Sequence, residues 1–513
     1  MLLASGKPGF KIGYIVKLNQ RQKARRRSAS LASNLPFRIS PSRSLARRVL
    51  SSNYCAIAHR PHAGSSRSNT TATESSTALT VKRRHIAIIA PPTAGHINPL
   101  AALGTSLVET GHRVTIVHST DVESLVPDCG VGFAAFDHPA DGEGLLAEYY
   151  RKLAQPSGPV GLPRMIRGTA SMTELLLKAL PTALSRLGVD AIVADSVEPA
   201  GPLVARHLRL PFVTAVTGLP LLREPTVPPP FLGWAYRPDA VGRNRNNGGY
   251  AISDLLMRPI TKMVATYARR WGLDPDPRYQ WSKRLQIAQC PEGLDFPRLA
   301  LPKSFRYGGP WRRDELEENL PDDDGRPLIF CSLGSLQGAR RSLFAAMTAA
   351  CSAVGARAVV AHGGGLSDRE AHSLPGNPLV RAFWSQTRIL PQCSAAILHG
   401  GFNTVLDALA AGVPIVAVPL AFEQPATAAR LKRIGAARVV SAADAGKGGL
   451  EPALRLVLRN PEYRRAARSM ATDMAAAGGA AEAAAMVDAA LGRETDVRPA
   501  GLSPPDGKAA FAA

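Results

Sequence analysis

Residues 395–424 read AAILHGGFNTVLDALAAGVPIVAVPLAFEQ. Ala395 to Leu398 is an apolar run of the length of a fully buried parallel strand. His399, Gly400 and Gly401 make a tight turn in which missing side chains let a ligand reach backbone N–H groups. Asn403 or Thr404 is placed to cap the helix that follows, and Gly412 with Pro414 just beyond ends it. A second apolar strand then leads to Glu423-Gln424. Strand, turn, helix, strand is the repeating unit of a parallel α/β sheet. A Gly-rich turn feeding a helix N-terminus suits an anion such as a diphosphate. Asp407 lies about one turn beyond Asn403 on the same face, where a carboxylate can take ribose hydroxyls. Glu423 and Gln424 put a carboxylate and an amide at a strand's C-terminal end, where open α/β sheets bind ligands. Diphosphate, ribose and polyol are the parts of a nucleotide sugar.

This stretch resembles the donor-binding signature of the inverting, metal-independent glycosyltransferases with two Rossmann-like domains, the GT-B fold. That family includes the UDP-glucuronosyltransferases and plant secondary-product glucosyltransferases. Its members carry a His-x-Gly-x-Asn-Ser turn, an acidic residue along the helix, and an Asp/Glu-Gln pair after the next strand. His399, Gly401, Asn403, Thr404, Asp407, Glu423 and Gln424 fall on those positions, with Thr for Ser and Asp for the usual Glu. The resemblance implies an α/β chain with two parallel sheets facing a central cleft, a UDP-sugar donor, and no metal or cofactor.

Outward from this signature the strand–helix alternation continues. His85–Ala90 and Val114–His118 read as strands around a helix Asn98–Thr110, and Ala191–Ala194 and Phe212–Val216 as later strands of the same sheet. A second such opening begins at Leu328–Ser332, with a helix from about Ser342 to Val354 and a strand Ala358–Ala361. The expected organisation is a basic extension over 1–84, an acceptor-binding domain over 85–311, and a linker over 312–326. A nucleotide-sugar-binding domain over 327–478, a C-terminal helix over 479–493 and a loose tail over 494–513 follow. Asp322-Asp323-Asp324 reads as solvated linker rather than a metal motif.

The 513 residues carry a formal charge of +22, which invites a nucleic-acid reading. Its distribution argues against one. Residues 1–84 hold 17 Lys and Arg against the single Glu74, leaving only +6 over the rest. That Ser-rich segment, with Arg25-Arg26-Arg27, resembles an organellar transit peptide. An upstream extension of the reading frame, with the protein proper starting near Val81, is preferred because the sheet begins at His85. Either way it is expected to be disordered. Cys55, Cys129, Cys290, Cys331, Cys351 and Cys393 include no CxxC pair and read as small core residues in a reducing compartment. No apolar run approaches the roughly 18–20 residues that span a bilayer. A cytoplasmic location is expected.

No GxGxxG follows the first strand, which weighs against a dehydrogenase. Pro91-Pro92-Thr93-Ala94-Gly95-His96-Ile97-Asn98-Pro99 stands there instead, and His96 matches the family's Gly-His-x-x-Pro position. The resemblance implies that His96 is the base, which suits an imidazole pKa of about 6.5. Asp195, at the end of a neighbouring strand, matches the family's partner acid. In the implied displacement His96 takes the proton of an acceptor hydroxyl and Asp195 stabilises the imidazolium. His399 and the helix N-terminus after Gly401 supply positive potential for the leaving diphosphate. Ser335, in Ser332-Leu333-Gly334-Ser335, matches a phosphate contact. The family's Trp-Ala-Pro-Gln segment is Phe383-Trp384-Ser385-Gln386 here. That puts Phe383 on the uracil face and Gln386 on its edge, with Trp384 as the alternative stacking ring.

From His85 to Leu491 the likeness is closer to the carotenoid branch, the bacterial zeaxanthin glucosyltransferases. It is carried by Asp195-Ser196-Val197-Glu198-Pro199-Ala200-Gly201, Leu219-Pro220-Leu221-Leu222-Arg223-Glu224-Pro225, Leu294-Asp295-Phe296-Pro297-Arg298 and Cys331-Ser332-Leu333-Gly334-Ser335-Leu336-Gln337-Gly338. Glu423 departs from the Asp favoured there. The implied reaction moves glucose from UDP-glucose to a lipophilic hydroxylated acceptor; a macrolide, polyketide, flavonoid or sterol is the alternative. A carotenoid lies in a membrane. Leu219–Tyr236, with Phe231, Trp234 and Tyr236, and the basic amphipathic Ile252–Trp271 are therefore expected to form the acceptor entrance. Residues 219–271 would also make a peripheral contact with an anionic bilayer, with part of the apolar face packing on the sheet.

Overall fold

The computed structural model describes residues 83–136, 138, 144–154, 158–313 and 324–492. The basic segment 1–82, linker residues 314–323 with Asp322 and Asp323, and the tail 493–513 lie outside the described residues.

Two parallel sheets carry the fold. The first contains β1 (His85–Ile89), β2 (Arg113–His118), β3 (Gly132–Ala135), β4 (Ala191–Asp195), β5 (Phe212–Val216), β6 (Gln286–Ala288) and β7 (Phe305–Arg306), in the order β3-β2-β1-β4-β5-β6-β7. The second contains β8 (Leu328–Ser332), β9 (Arg357–Ala361), β10 (Leu379–Arg381), β11 (Cys393–Leu398), β12 (Ile415–Ala417) and β13 (Ala437–Val439), in the order β10-β9-β8-β11-β12-β13. Helices cover both faces of such sheets, so the central strands are apolar along their length. Every residue of β1 is buried, Ile86 to Ile89 completely. In each sheet the order reverses beside the first strand, at β1 and β4 and again at β8 and β11. Those are the crevices where such sheets bind ligands.

The strands match the sequence reading to within a residue or two. The first helix does not. It runs Ala94–Glu109, beginning four residues before the expected Asn98, with Pro99 inside it. His96 therefore sits in a helical first turn and not in a loop. Pro99 is an interior defect that removes one helical bond.

The expected separate C-terminal helix returns to the first domain. Gly479–Gly492 packs on Ala94–Glu109 and buries Ala480, Ala483, Ala484, Val487, Ala490 and Leu491 in the core of the first sheet. Asp488 there meets His112 Nε2 at 3.1 Å and Arg84 at 3.7 Å. By length and composition Pro461–Gly492 is apolar enough to cross a membrane, although charged residues interrupt its apolar runs. It is broken at Gly478 and Gly479, with φ of 74° and 59°, into two helices whose small apolar faces are core.

Candidate active site

Strand ends supply the first half of the site. β4 ends on Asp195, whose carboxylate is buried. Its Oδ2 lies 2.8 Å from His96 Nδ1 and accepts from Thr217 Oγ1 at 2.7 Å. Thr217, just past β5, also stands 2.8 Å from His96 Nδ1. A carboxylate only accepts, so the imidazole proton lies on Nδ1 and Nε2 presents its lone pair. Burial alone would depress the His96 pKa. The charge and hydrogen bond of Asp195, with Glu423 and Glu198 adding, raise it above its ordinary value. Glu198, buried below the pair, accepts from Ala200 N at 3.1 Å and Thr173 Oγ1 at 3.4 Å. Burial pushes its carboxyl up to about 7.

The second half lies at the C-terminal ends of β8 to β12. His399, Gly400 and Gly401 follow β11 as expected and feed the helix Phe402–Ala410. Its N-cap is Gly401, without a side-chain bond, so neither Asn403 nor Thr404 caps it. Thr404 is buried in its first turn. The His399 ring fits against two glycines: a Cβ on Gly334 or Gly401 would stand 2.8 or 2.3 Å from its Nε2. Burial lowers the His399 pKa to about 4. It is therefore neutral at physiological pH and adds no positive charge, contrary to the sequence reading; the helix dipole remains. Ser335 is exposed in the turn after β8.

The Phe383 ring is 56% exposed, whereas Trp384 is buried, donates Nε1–H to Val360 O at 3.1 Å and lies under Arg381 at 3.9 Å. Of the two rings, Phe383 is the one open to a base. Gln386 has a buried Oε1 without a hydrogen-bond partner. Phe422 takes φ 55°, a left-handed conformation costly for an aromatic residue, and this turns the chain into Glu423. The Glu423 carboxylate takes a hydrogen bond from the Phe402 backbone, and burial raises its pKa. Gln424 Oε1 accepts from Leu420 N at 2.9 Å and Ala421 N at 2.8 Å, leaving its amide N–H groups for a ligand.

Two expected donor contacts are otherwise engaged. Asp407 pairs with Arg312 Nε. Asn403 Nδ2 donates to Gly95 O at 2.7 Å, across to the first domain, and its Oδ1 accepts from Gln289 Nε2 at 2.8 Å. Gln289, fully buried past β6, also donates to Thr217 O and accepts from Arg312 Nη1 at 3.1 Å. Arg312 Nη2 donates to Asn403 O at 3.0 Å. Thr217, Gln289 and Arg312 were not anticipated. No short motif marks them, and they meet only when three strand ends and the linker entry converge. The run His362-Gly363-Gly364-Gly365 after β9, packed on the Ser335 turn, was missed although it repeats the His-Gly-Gly pattern.

Behind the site, Asp295 is buried among Arg298 Nε at 2.6 Å, Arg430 Nε at 2.9 Å and Tyr307 Oη at 3.0 Å. Arg298 also donates to Leu222 O at 2.7 Å and Pro220 O at 3.1 Å. The helix Gln424–Arg433 is thus tied to the expected acceptor loop. On the helix Ala240–Arg270, Met263, Val264 and Tyr267 pack on the first core, while Ile252 and Leu255 are 63% and 66% exposed. Asp324 pairs with Arg326 and Arg357. Among the described residues no group of three or more His, Cys, Asp or Glu could hold a metal ion.

The chain is similar to known glycosyltransferases in sequence and in fold. Residues 346–489 match the family described as erythromycin biosynthesis protein CIII-like, C-terminal domain. The zeaxanthin glucosyltransferase of Pseudescherichia vulneris is 40% identical over 361 residues, 70% of this chain and 86% of that protein. The zeaxanthin glucosyltransferase of Pantoea ananas is 34% identical over 412 residues, covering 79% and 95%. Among solved structures, the calicheamicin glycosyltransferase CalG4 superposes with a TM-score of 0.63 at 22% identity, over 81% of this chain and all of that one.

Proposed function

The chain belongs to the GT-B glycosyltransferase family that contains the zeaxanthin glucosyltransferases, and from this premise we propose that it transfers glucose from UDP-glucose, with inversion, to the hydroxyl groups of zeaxanthin. The arrangement of His96, Asp195 and Thr217 carries the proposal. With the proton held on Nδ1, Nε2 takes the proton of the acceptor hydroxyl. The acceptor oxygen attacks the anomeric carbon as the bond to the diphosphate oxygen breaks, and UDP leaves with that electron pair. Asp195 stabilises the imidazolium. General-base assistance of this kind contributes roughly 10²–10⁴-fold.

On this reading Phe383 stacks on uracil, and Gln386 offers its unpartnered carbonyl to the uracil N–H. Ser335, Thr404 and the N–H groups after Gly401 face the diphosphate. Glu423 and the Gln424 amide face the glucose hydroxyls. The enzyme would work in the cytoplasm, resting on the membrane that holds its acceptor, with Ile252 and Leu255 at the apolar end of one helix face and Lys262 and Arg269 at its basic end.

A product assay tests the proposal: full-length protein, zeaxanthin in liposomes and UDP-glucose, with His96→Ala alongside, read by mass spectrometry. Zeaxanthin mono- and diglucosides from the wild type, nearly absent from the variant, are expected. Slow UDP release without carotenoid product would overturn the acceptor assignment and move it to macrolide, polyketide, flavonoid or sterol.

A further inference from the structure

We propose that Asn403, Gln289 and Arg312 form an interdomain latch that sets the base-bearing turn in register with the donor domain, so that Asn403 serves as a positioning residue and not as a donor ligand. The inference rests on the reading of His96 as the base. Pro99 has no N–H, so the carbonyl of Gly95, four residues earlier in the same helix, is denied its helical donor. Gly95 directly precedes His96. An orphaned carbonyl at a helix start needs an outside partner, and Asn403 of the second domain provides it at 2.7 Å.

The other end of the same amide completes the connection. Asn403 Oδ1 accepts from Gln289, whose amide also donates to the backbone carbonyl of Thr217, the residue that braces Asp195 and His96. Gln289 is itself oriented by Arg312, which at the same time holds Asp407 and the Asn403 carbonyl. One side chain of the donor helix thus holds both backbone segments that aim the imidazole. Both polar atoms of that side chain have protein partners, Nδ2 on Gly95 O and Oδ1 on Gln289 Nε2.

The test uses full-length Asn403→Ala and Gln289→Met in three measurements: UDP binding by calorimetry, transfer kinetics with UDP-glucose and zeaxanthin, and amide hydrogen exchange of the free enzyme. Ala is a good helix former at a half-exposed site, so Asn403→Ala remains informative if Gln289→Met does not fold. A latch predicts kcat lower by about 10–100-fold, the scale of small misplacements of reacting groups, with the UDP Kd and acceptor KM within about twofold. Exchange should rise in residues 93–100 and 400–407 and stay unchanged in β1. A UDP Kd raised by about tenfold or more in Asn403→Ala, the loss of a charge-assisted bond to a ligand, would overturn the latch. So would a kcat within about threefold of wild type. If the wild type makes no carotenoid glucoside, only the acceptor assignment fails, and the exchange measurement decides: unchanged protection in both segments overturns the latch.

Discussion

Pro99 and Gly95 stand one helical turn apart, and the proline withholds the N–H that the Gly95 carbonyl would otherwise take. Replacing it tests what that vacancy is for. Pro99→Ala restores the internal bond and removes a helix defect worth up to about 3 kcal/mol. The variant should melt at a higher temperature yet turn over several-fold more slowly, because Gly95 O then has a competing partner. Calorimetric melting and transfer rate on one preparation check both signs; a variant that gains stability and keeps full activity would show the defect to be idle.

The charge next to His96 predicts where activity falls with pH. Only neutral imidazole accepts a proton, and Asp195 holds the His96 pKa above its usual value of about 6.5. The acid limb of kcat/KM should therefore lie above that value. In Asp195→Asn the anion is gone, so the limb should move to lower pH while the plateau drops by roughly 10²–10⁴-fold. A limb that stays in place would assign the titration to another group.

Phe383 and Trp384 are neighbours with opposite expected outcomes. Phe383→Ala should weaken UDP binding by about 1–3 kcal/mol, the range for aromatic stacking on a base, at unchanged stability. Trp384→Ala removes a buried ring and should lower stability by about 3–5 kcal/mol. Isothermal titration with UDP and chemical denaturation separate the two.

Asp295 neutralises two buried guanidiniums. Burial pushes its carboxyl up, and Arg430 and Arg298 more than reverse that, so its folded pKa lies below the usual carboxylate value. Its contribution is complete above the unfolded value of about 3.9 and is lost as pH falls through the folded pKa. Asp295→Asn leaves both arginines uncompensated and should cost about 3–5 kcal/mol, measured as a shift in urea midpoint at neutral pH. That penalty should shrink as the pH approaches the folded pKa.

Membrane contact predicts a further pair. Ile252→Asp with Leu255→Asp should reduce co-sedimentation with anionic liposomes, and so should Arg269→Glu with Arg270→Glu. Activity on a detergent-solubilised acceptor should fall less than sedimentation does, because none of the four stands beside His96 and Asp195. Equal sedimentation for wild type and both double variants would remove the helix Ala240–Arg270 from the acceptor's path.

Much of the fold was legible because it is written in local runs. Ile86–Ile89, Leu328–Cys331 and Ala395–Leu398 are uninterrupted apolar runs, and Asp195 and His399 stand at or just past the end of a strand. The positions that stayed hidden depend on contacts across the chain. Gln289 and Arg312 look like ordinary polar residues until β6, the linker entry and the helix after Gly401 are brought together. The first helix starts four residues before the expected Asn98, where Thr93 already has the extended backbone of an N-cap. His399 was expected to carry charge because its desolvation depends on Gly334, 65 positions earlier in the chain.

The return of Gly479–Gly492 to the first sheet also sets the order of events during synthesis. Domains usually fold as they emerge, the N-terminal one first. Here the earlier sheet lacks one wall of its core until a helix encoded nearly 400 residues after β1 has left the ribosome. The second sheet is closed by the helices Leu450–Arg459 and Pro461–Ala476, which emerge just before that helix, so it can finish first. The nascent first domain must wait with an apolar face uncovered, so a chain that stops between residues 477 and 479 should have a native donor half and an acceptor half that is a substrate for chaperones.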